Sequence, residues 1–201
     1  MNFPRILKKR KGYIDRIKPF MQKSVVKVLT GQRRVGKSFL LYQLIEEILG
    51  KEPDANIIYI NLEDFAFSSL QTAEDLHSYI ISHSKEKAKN YIFIDEIQDI
   101  PGFEKVIRSL LLNEDNDIYI TGSNAKMLSG ELATYLSGRY IEFKIYSLSY
   151  SEFLEFHGLT ESETSYELYS RYGGLPYLLN LPLEDETVNE YLKSVYSTIV
   201  F

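Results

Sequence analysis

The chain has 201 residues, 44% of them hydrophobic, a formal net charge of −5 and no cysteine. That is enough apolar material for a full core, and the missing cysteines exclude disulfides, thiol chemistry and cysteine metal sites. No run approaches the about 18 apolar residues of a membrane span, Met1-Asn2-Phe3-Pro4-Arg5 carries no apolar signal segment, and His77, His83 and His157 lack metal-ligand spacing, so the expectation is a soluble, cytoplasmic protein.

Charge is uneven along the chain. Residues 1–38 hold twelve Lys or Arg against one acid, Asp15, and the remainder eleven against twenty-seven. Lys8-Lys9-Arg10-Lys11 reads as part of a solvated basic arm over residues 1–22, with contact to nucleic acid or an acidic partner as the alternative. The acidic body opposes broad DNA binding.

Val25 to Leu29 predicts a first strand, and Gly31-Gln32-Arg33-Arg34-Val35-Gly36-Lys37-Ser38 follows it as a complete phosphate-binding loop of Walker A form. Its glycines let successive backbone N–H groups face the phosphates, and the helix behind it, from Phe39 onward, presents its positive dipole end. Lys37 is expected on the β/γ oxygens and the Ser38 hydroxyl on Mg²⁺. Leu40, Leu41, Leu44, Ile45 and Ile48 continue at helical spacing, and Gly50 stops the helix before Pro53.

Ile57 to Ile60 predicts the second strand, and Thr72 with Asp75 a capping pair for a helix to His83. Tyr91-Ile92-Phe93-Ile94-Asp95-Glu96 is a buried strand of Walker B form: Asp95 is placed to hold the Mg²⁺ shell and Glu96 to polarise an attacking water. The second acid favours hydrolysis over phosphoryl transfer to a metabolite.

A helix opened by Pro101 packs through Val106, Ile107, Leu110 and Leu111, and Asp117 to Thr121 is the fourth strand. It ends Thr121-Gly122-Ser123-Asn124, where Ser123 is the stronger candidate to bond the water or γ-phosphate; a turn capping the next helix uses the same residues. Arg139, just before a fifth strand from Ile141 to Ile145, reaches the γ-phosphate of its own or a neighbouring subunit, or else makes a surface ion pair. The alternation predicts an α/β fold, a parallel five-stranded sheet with helices on both faces, and similarity to nucleotide hydrolases with one strand inserted between the two motif strands implies the P-loop NTPase order 5-1-4-3-2 or a close relative.

Beyond Tyr146 the pattern is purely helical. Ser149 to Phe156 reads as one helix, Thr160 with Glu163 as a capping box for another, Arg171 to Pro176 as a rigid turn, and Val188, Tyr191, Leu192, Val195, Tyr196 and Ile199 as one face of a last helix. The division is thus a basic arm (1–22), an ATPase core (23–146) and a small helical lid (147–201). The last helix reaches Phe201 without a cap, so a further C-terminal region is expected.

Taken with the phosphate loop, Ile94-Asp95-Glu96-Ile97-Gln98, Thr121-Gly122-Ser123-Asn124-Ala125, Leu136-Ser137-Gly138-Arg139-Tyr140, Leu148-Ser149-Tyr150-Ser151-Glu152-Phe153 and Gly173-Gly174-Leu175-Pro176 resemble the prokaryotic AAA-superfamily ATPases of the archaeal-ATPase-like group, the AAA_14 type. The likeness runs from about Val25 to Pro176, and members commonly continue into a DUF4143 domain. It implies ATP and Mg²⁺ as ligands, Lys37 and Ser38 on phosphate and metal, Asp95 and Glu96 as metal-shell acid and base, and Ser123 at the sensor position. It further implies that Gly174-Leu175-Pro176 packs against the adenine, as a related turn does in signal-transduction ATPases. Gln32 departs from the proline of many relatives without disturbing the cradle.

Two functions follow as expectations: an ATPase whose hydrolysis drives or gates a change between core and lid, or a slow ATP-bound switch or scaffold. Partners are expected to be ATP and, through the lid and the region beyond Phe201, a second copy or another protein. No membrane partner is expected, and nothing specific supports nucleic acid.

Overall fold

The computed structural model describes residues 8–122, 136 and 138–200. The chain divides into two units, one of residues 1–31 and 37–144, the other of 32–36 and 145–201.

The first unit is built on β1 (Val26–Thr30), β2 (Asn56–Asn61), β3 (Asn90–Asp95), β4 (Asn116–Gly122) and β5 (Tyr140–Lys144), all parallel in the order β2-β3-β4-β1-β5. This is the sheet order that the likeness to nucleotide hydrolases implies. The three central strands are buried along their whole length and read as near-continuous apolar runs, as strands covered on both faces must. Edge strand β2 turns Ile58 and Ile60 inward and leaves its alternate positions half-buried. α1 (Lys11–Ile17), α2 (Lys37–Leu49), α3 (Ala73–His83) and α4 (Phe103–Leu110) accompany the sheet. α3 starts at the expected capping box: Asp75 N–H donates to Thr72 Oγ1 (3.2 Å) and Thr72 N–H to Asp75 Oδ2 (3.0 Å).

From Lys8 onward the basic segment is docked rather than solvated. α1 buries Ile14 and Ile17, Lys18 pairs with Glu47 of α2 at 3.0 Å, and the Gln43 side chain accepts from Arg10 N–H (2.9 Å) and donates to the Lys8 carbonyl (3.0 Å). Apolar residues interleaved with the lysines decide this; the charge run alone hides it.

A second departure from apolar logic lies inside the sheet. Lys27 of β1 and Asp117 of β4, both fully buried, form an ion pair. Asp117 also accepts from the Tyr119 hydroxyl (2.7 Å) and Gln22 N–H (2.8 Å), and Lys27 donates to the Val25 carbonyl (2.8 Å). Burial pulls Lys27 below the usual lysine range, against the pull of Asp117.

The second unit holds α5 (Tyr150–His157), α6 (Glu163–Tyr172), a 3-10 turn over Pro176–Asn180 and α7 (Asp185–Val200). α5 begins with the Ser149/Glu152 box, but α6 is capped by Ser162 with Ser165, not by Thr160 with Glu163. Glu163 is the first helical residue, where it faces the dipole, and the Thr160 carbonyl accepts from the Ser165 hydroxyl at 2.9 Å instead. Gly173 caps α6 with φ of 72°, while Gly174 is required by proximity: a Cβ there would lie 2.2 Å from the Leu148 carbonyl oxygen. Leu148 N–H donates to Gly174 O (2.7 Å) and Tyr169 OH to Leu148 O (2.9 Å), joining the start of α5 to the turn after α6. No helix among the described residues is long and apolar enough to cross a membrane.

Candidate active site

The loop between β1 and α2 has φ of 151° at Gly31, 67° at Arg34 and 93° at Gly36, and positive φ within a tight loop turns N–H groups toward a common centre. Arg34 holds this conformation without being glycine, at a cost of roughly 1 kcal/mol. Lys37 opens α2, so the loop ends at a helix N-terminus. The Lys37 side chain is 3% exposed; its Nζ donates to Gly31 O (3.2 Å) and lies 3.3 Å from Glu96 Oε1.

Asp95 ends β3, which runs parallel to β4 in the register Ile94 to Ile120, so Thr121 stands directly beside it. Thr121 Oγ1 donates to Asp95 Oδ1 and accepts Glu96 N–H at 3.0 Å, fixing both acids from one buried hydroxyl. Asp95 also accepts from the Ser38 hydroxyl and from Tyr59 OH (3.4 Å), itself bonded to Tyr42 OH at 3.1 Å. Burial raises the Asp95 carboxyl above the usual range, opposed by the Ser38 and Thr121 hydroxyls. Glu96 sits in the left-handed region (φ 55°, ψ 48°), and its Oε2 accepts from Gln98 Nε2 at 2.7 Å. Thr121, Gln98 and Tyr59 were not singled out from the sequence; Thr121 and Gln98 stand inside the quoted motifs, whereas Tyr59 reaches Asp95 only through the β2–β3 pairing.

Lys37, Ser38, Asp95 and Glu96 are therefore one constellation. Of the other expected residues, Gln32, Arg33 and Arg34 are exposed, Val35 is buried, and Phe39 is half exposed on α2 with its ring edge-on to Tyr42 at 6.1 Å. Within the second unit, Pro176 Cγ lies 3.8 Å from the position a Gly36 Cβ would take, and the Arg34 guanidinium lies 5.9 Å from the Tyr191 ring. The helical residues thus reach the loop segment that they share a unit with. Ser123 lies outside the described residues. Arg139 is exposed, and its carbonyl accepts Val26 N–H (3.0 Å) at the beginning of β1. The ends of a five-residue strand are about 13 Å apart at ~3.3 Å per residue, so the fold puts Arg139 at the end of the sheet away from Lys37. Its expected reach to the γ-phosphate of its own subunit is not what this chain's geometry favours.

The donor set suits Mg²⁺ brought in with a nucleotide. A hydroxyl and a carboxylate, Ser38 and Asp95, already meet, and Mg²⁺ usually takes one or two protein oxygens plus phosphate and water. Among the described residues no group of three or more His, Cys, Asp or Glu forms a cage that would hold an ion by itself.

Residues 23–154 match the family model described as an AAA domain. The chain is 38% identical to an uncharacterized protein of Haemophilus influenzae, over 95% of this chain and 49% of that protein. It is 32% identical to an uncharacterized protein of Methanocaldococcus jannaschii, over 85% of this chain and 41% of that one. It therefore spans about half the length of the curated relatives it matches. Among solved structures, AMPPCP-bound DnaA from Aquifex aeolicus superposes with a TM-score of 0.53 at 15% identity, over 89% of this chain and 61% of that one.

Proposed function

The chain belongs to the AAA domain family, and we propose that it binds ATP with Mg²⁺ and hydrolyses it, the hydrolysis driving or gating a conformational change between core and lid. The observation that carries this reading is the convergence of Lys37, Ser38, Asp95 and Glu96 at the carboxyl ends of β1 and β3.

When bound, Mg²⁺ supplies charge neutralisation at the β- and γ-phosphates. Ser38 and Asp95 would hold it, and the loop amides would cradle the phosphate oxygens. Lys37 leaves Glu96 for the β/γ oxygens, since a phosphate oxyanion carries more charge than one carboxylate oxygen. Glu96 takes the proton of the attacking water as the water oxygen bonds to the γ-phosphorus and the bond from that phosphorus to the β–γ bridging oxygen breaks, ADP carrying away the electron pair. Pro176 meets the adenine. Coupling to the lid is supported by residues 32–36 belonging, by their contacts, to the helical unit. A sensor role for Ser123, a role for Arg139 in a neighbouring subunit, self-association and a protein partner through the lid complete the proposal, as does a cytoplasmic location.

The test is phosphate release from ATP with and without Mg²⁺ by the wild type and Glu96→Gln. Release that needs both Mg²⁺ and Glu96 supports hydrolysis. Tight ATP binding with no release by either protein favours the slow switch instead, and absence of binding sinks both.

A further inference from the structure

Gln98 follows Glu96 by two residues in a 3-10 turn over Ile97–Asp99. Its Nε2 donates to Glu96 Oε2 at 2.7 Å, while its Oε1 is buried without a hydrogen-bond partner. A half-buried carboxamide whose oxygen is buried and orphaned is a poor stabilising device, because a same-sized apolar side chain would avoid the desolvation cost of that oxygen. The orientation is fixed all the same: turning the amide over would set its oxygen against the Glu96 carboxylate.

Glu96 is thus held at both oxygens, Oε1 by Lys37 at 3.3 Å and Oε2 by Gln98 at 2.7 Å. Resting on the hydrolytic reading above, we propose that Gln98 is a positioning residue for Glu96. Once Lys37 has moved to the phosphates, Gln98 keeps Oε2 in place and leaves Oε1 facing the water as the proton acceptor. Left-handed backbone at Glu96 and the Thr121 bond to its N–H hold the main chain, and the Gln98 bond to Oε2 restrains the side chain.

The test is Gln98→Met, close in length and lacking the donor, assayed for kcat and KM, for ATP binding and for thermal unfolding, alone and in the Glu96→Gln background. The expected result is a kcat lowered about tenfold or more with KM within twofold, since loss of one positioning contact at a general base costs part of its ~10²- to 10⁴-fold contribution. The melting temperature holds or rises, as the orphaned oxygen is gone, and in the Glu96→Gln background the substitution adds no further loss. Unchanged kcat, a loss that persists in full beside Glu96→Gln, or a lowered melting temperature with weakened binding overturns the proposal. A wild type no faster than Glu96→Gln overturns the hydrolytic reading and this inference together, whereas a wild type faster than Glu96→Gln but matched by Gln98→Met overturns this inference alone.

Discussion

Lys37 Nζ lies 3.3 Å from Glu96 Oε1, with the two side chains only 3% and 10% exposed, so the group suited to phosphate is held by the group suited to water. On the proposed function, ATP at the loop would exchange this ion pair for one between Lys37 and phosphate, and so act on the proposed base in the same movement.

Lys37→Ala removes the cation that would meet the β/γ oxygens and leaves Glu96 without it. A charge-assisted bond in a buried site contributes on the order of 3 kcal/mol, so ATP affinity is expected to fall about 100-fold or more. Titration with a fluorescent ATP analogue measures it, helped by the absence of tryptophan. Equal affinity of wild type and variant would refute the loop assignment.

Glu96→Gln is expected to stop single-turnover hydrolysis by ~10² to 10⁴ while binding ATP at least as tightly as the wild type. The tighter binding follows from the pair itself: an amide no longer competes with phosphate for the Lys37 charge. An unchanged hydrolysis rate would make Glu96 a structural acid.

For Pro176→Gly, ATP is expected to weaken by roughly 1 kcal/mol, and inorganic triphosphate little, because the apolar face and the preorganisation it gives are lost only for the base. Competition titrations with both ligands decide it. Equal weakening would assign Pro176, 3.8 Å from the Gly36 Cβ position, to the loop rather than to the adenine.

Asp117→Ala leaves Lys27, Tyr119 OH and Gln22 N–H without their shared acceptor, and losing one side of a buried pair costs about 3–5 kcal/mol. Lys27→Met is expected to cost less, since Asp117 keeps the other two donors. Urea unfolding of the two variants gives the order, and a larger loss for Lys27→Met would contradict it.

Gly174→Ala drives a methyl to 2.2 Å from a backbone oxygen, which cannot rotate away. A loss of about 1–3 kcal/mol is expected from the forced backbone shift. Gly158→Ala, with open space around its Cβ but φ of 66°, should cost less, about 1 kcal/mol from strain alone. Thermal unfolding of the two variants compares them.

The sequence by itself determined what short spacing controls. The phosphate loop, the Asp95-Glu96 strand end and the Thr72/Asp75 and Ser149/Glu152 caps are each complete within eight residues or fewer, and the sheet order was legible through the likeness to nucleotide hydrolases. The tertiary structure decided what depends on strand register and on packing between distant segments. Lys27 and Asp117 are ninety residues apart and meet only because β1 pairs with β4. Thr121 is set beside Asp95, and Tyr59 near it, by pairings that no local pattern encodes, since register is fixed by the burial of whole strand faces. Gly174 is glycine because the backbone of Leu148, twenty-six positions earlier, occupies the space a side chain would need, which no spacing within the Gly173–Pro176 turn encodes.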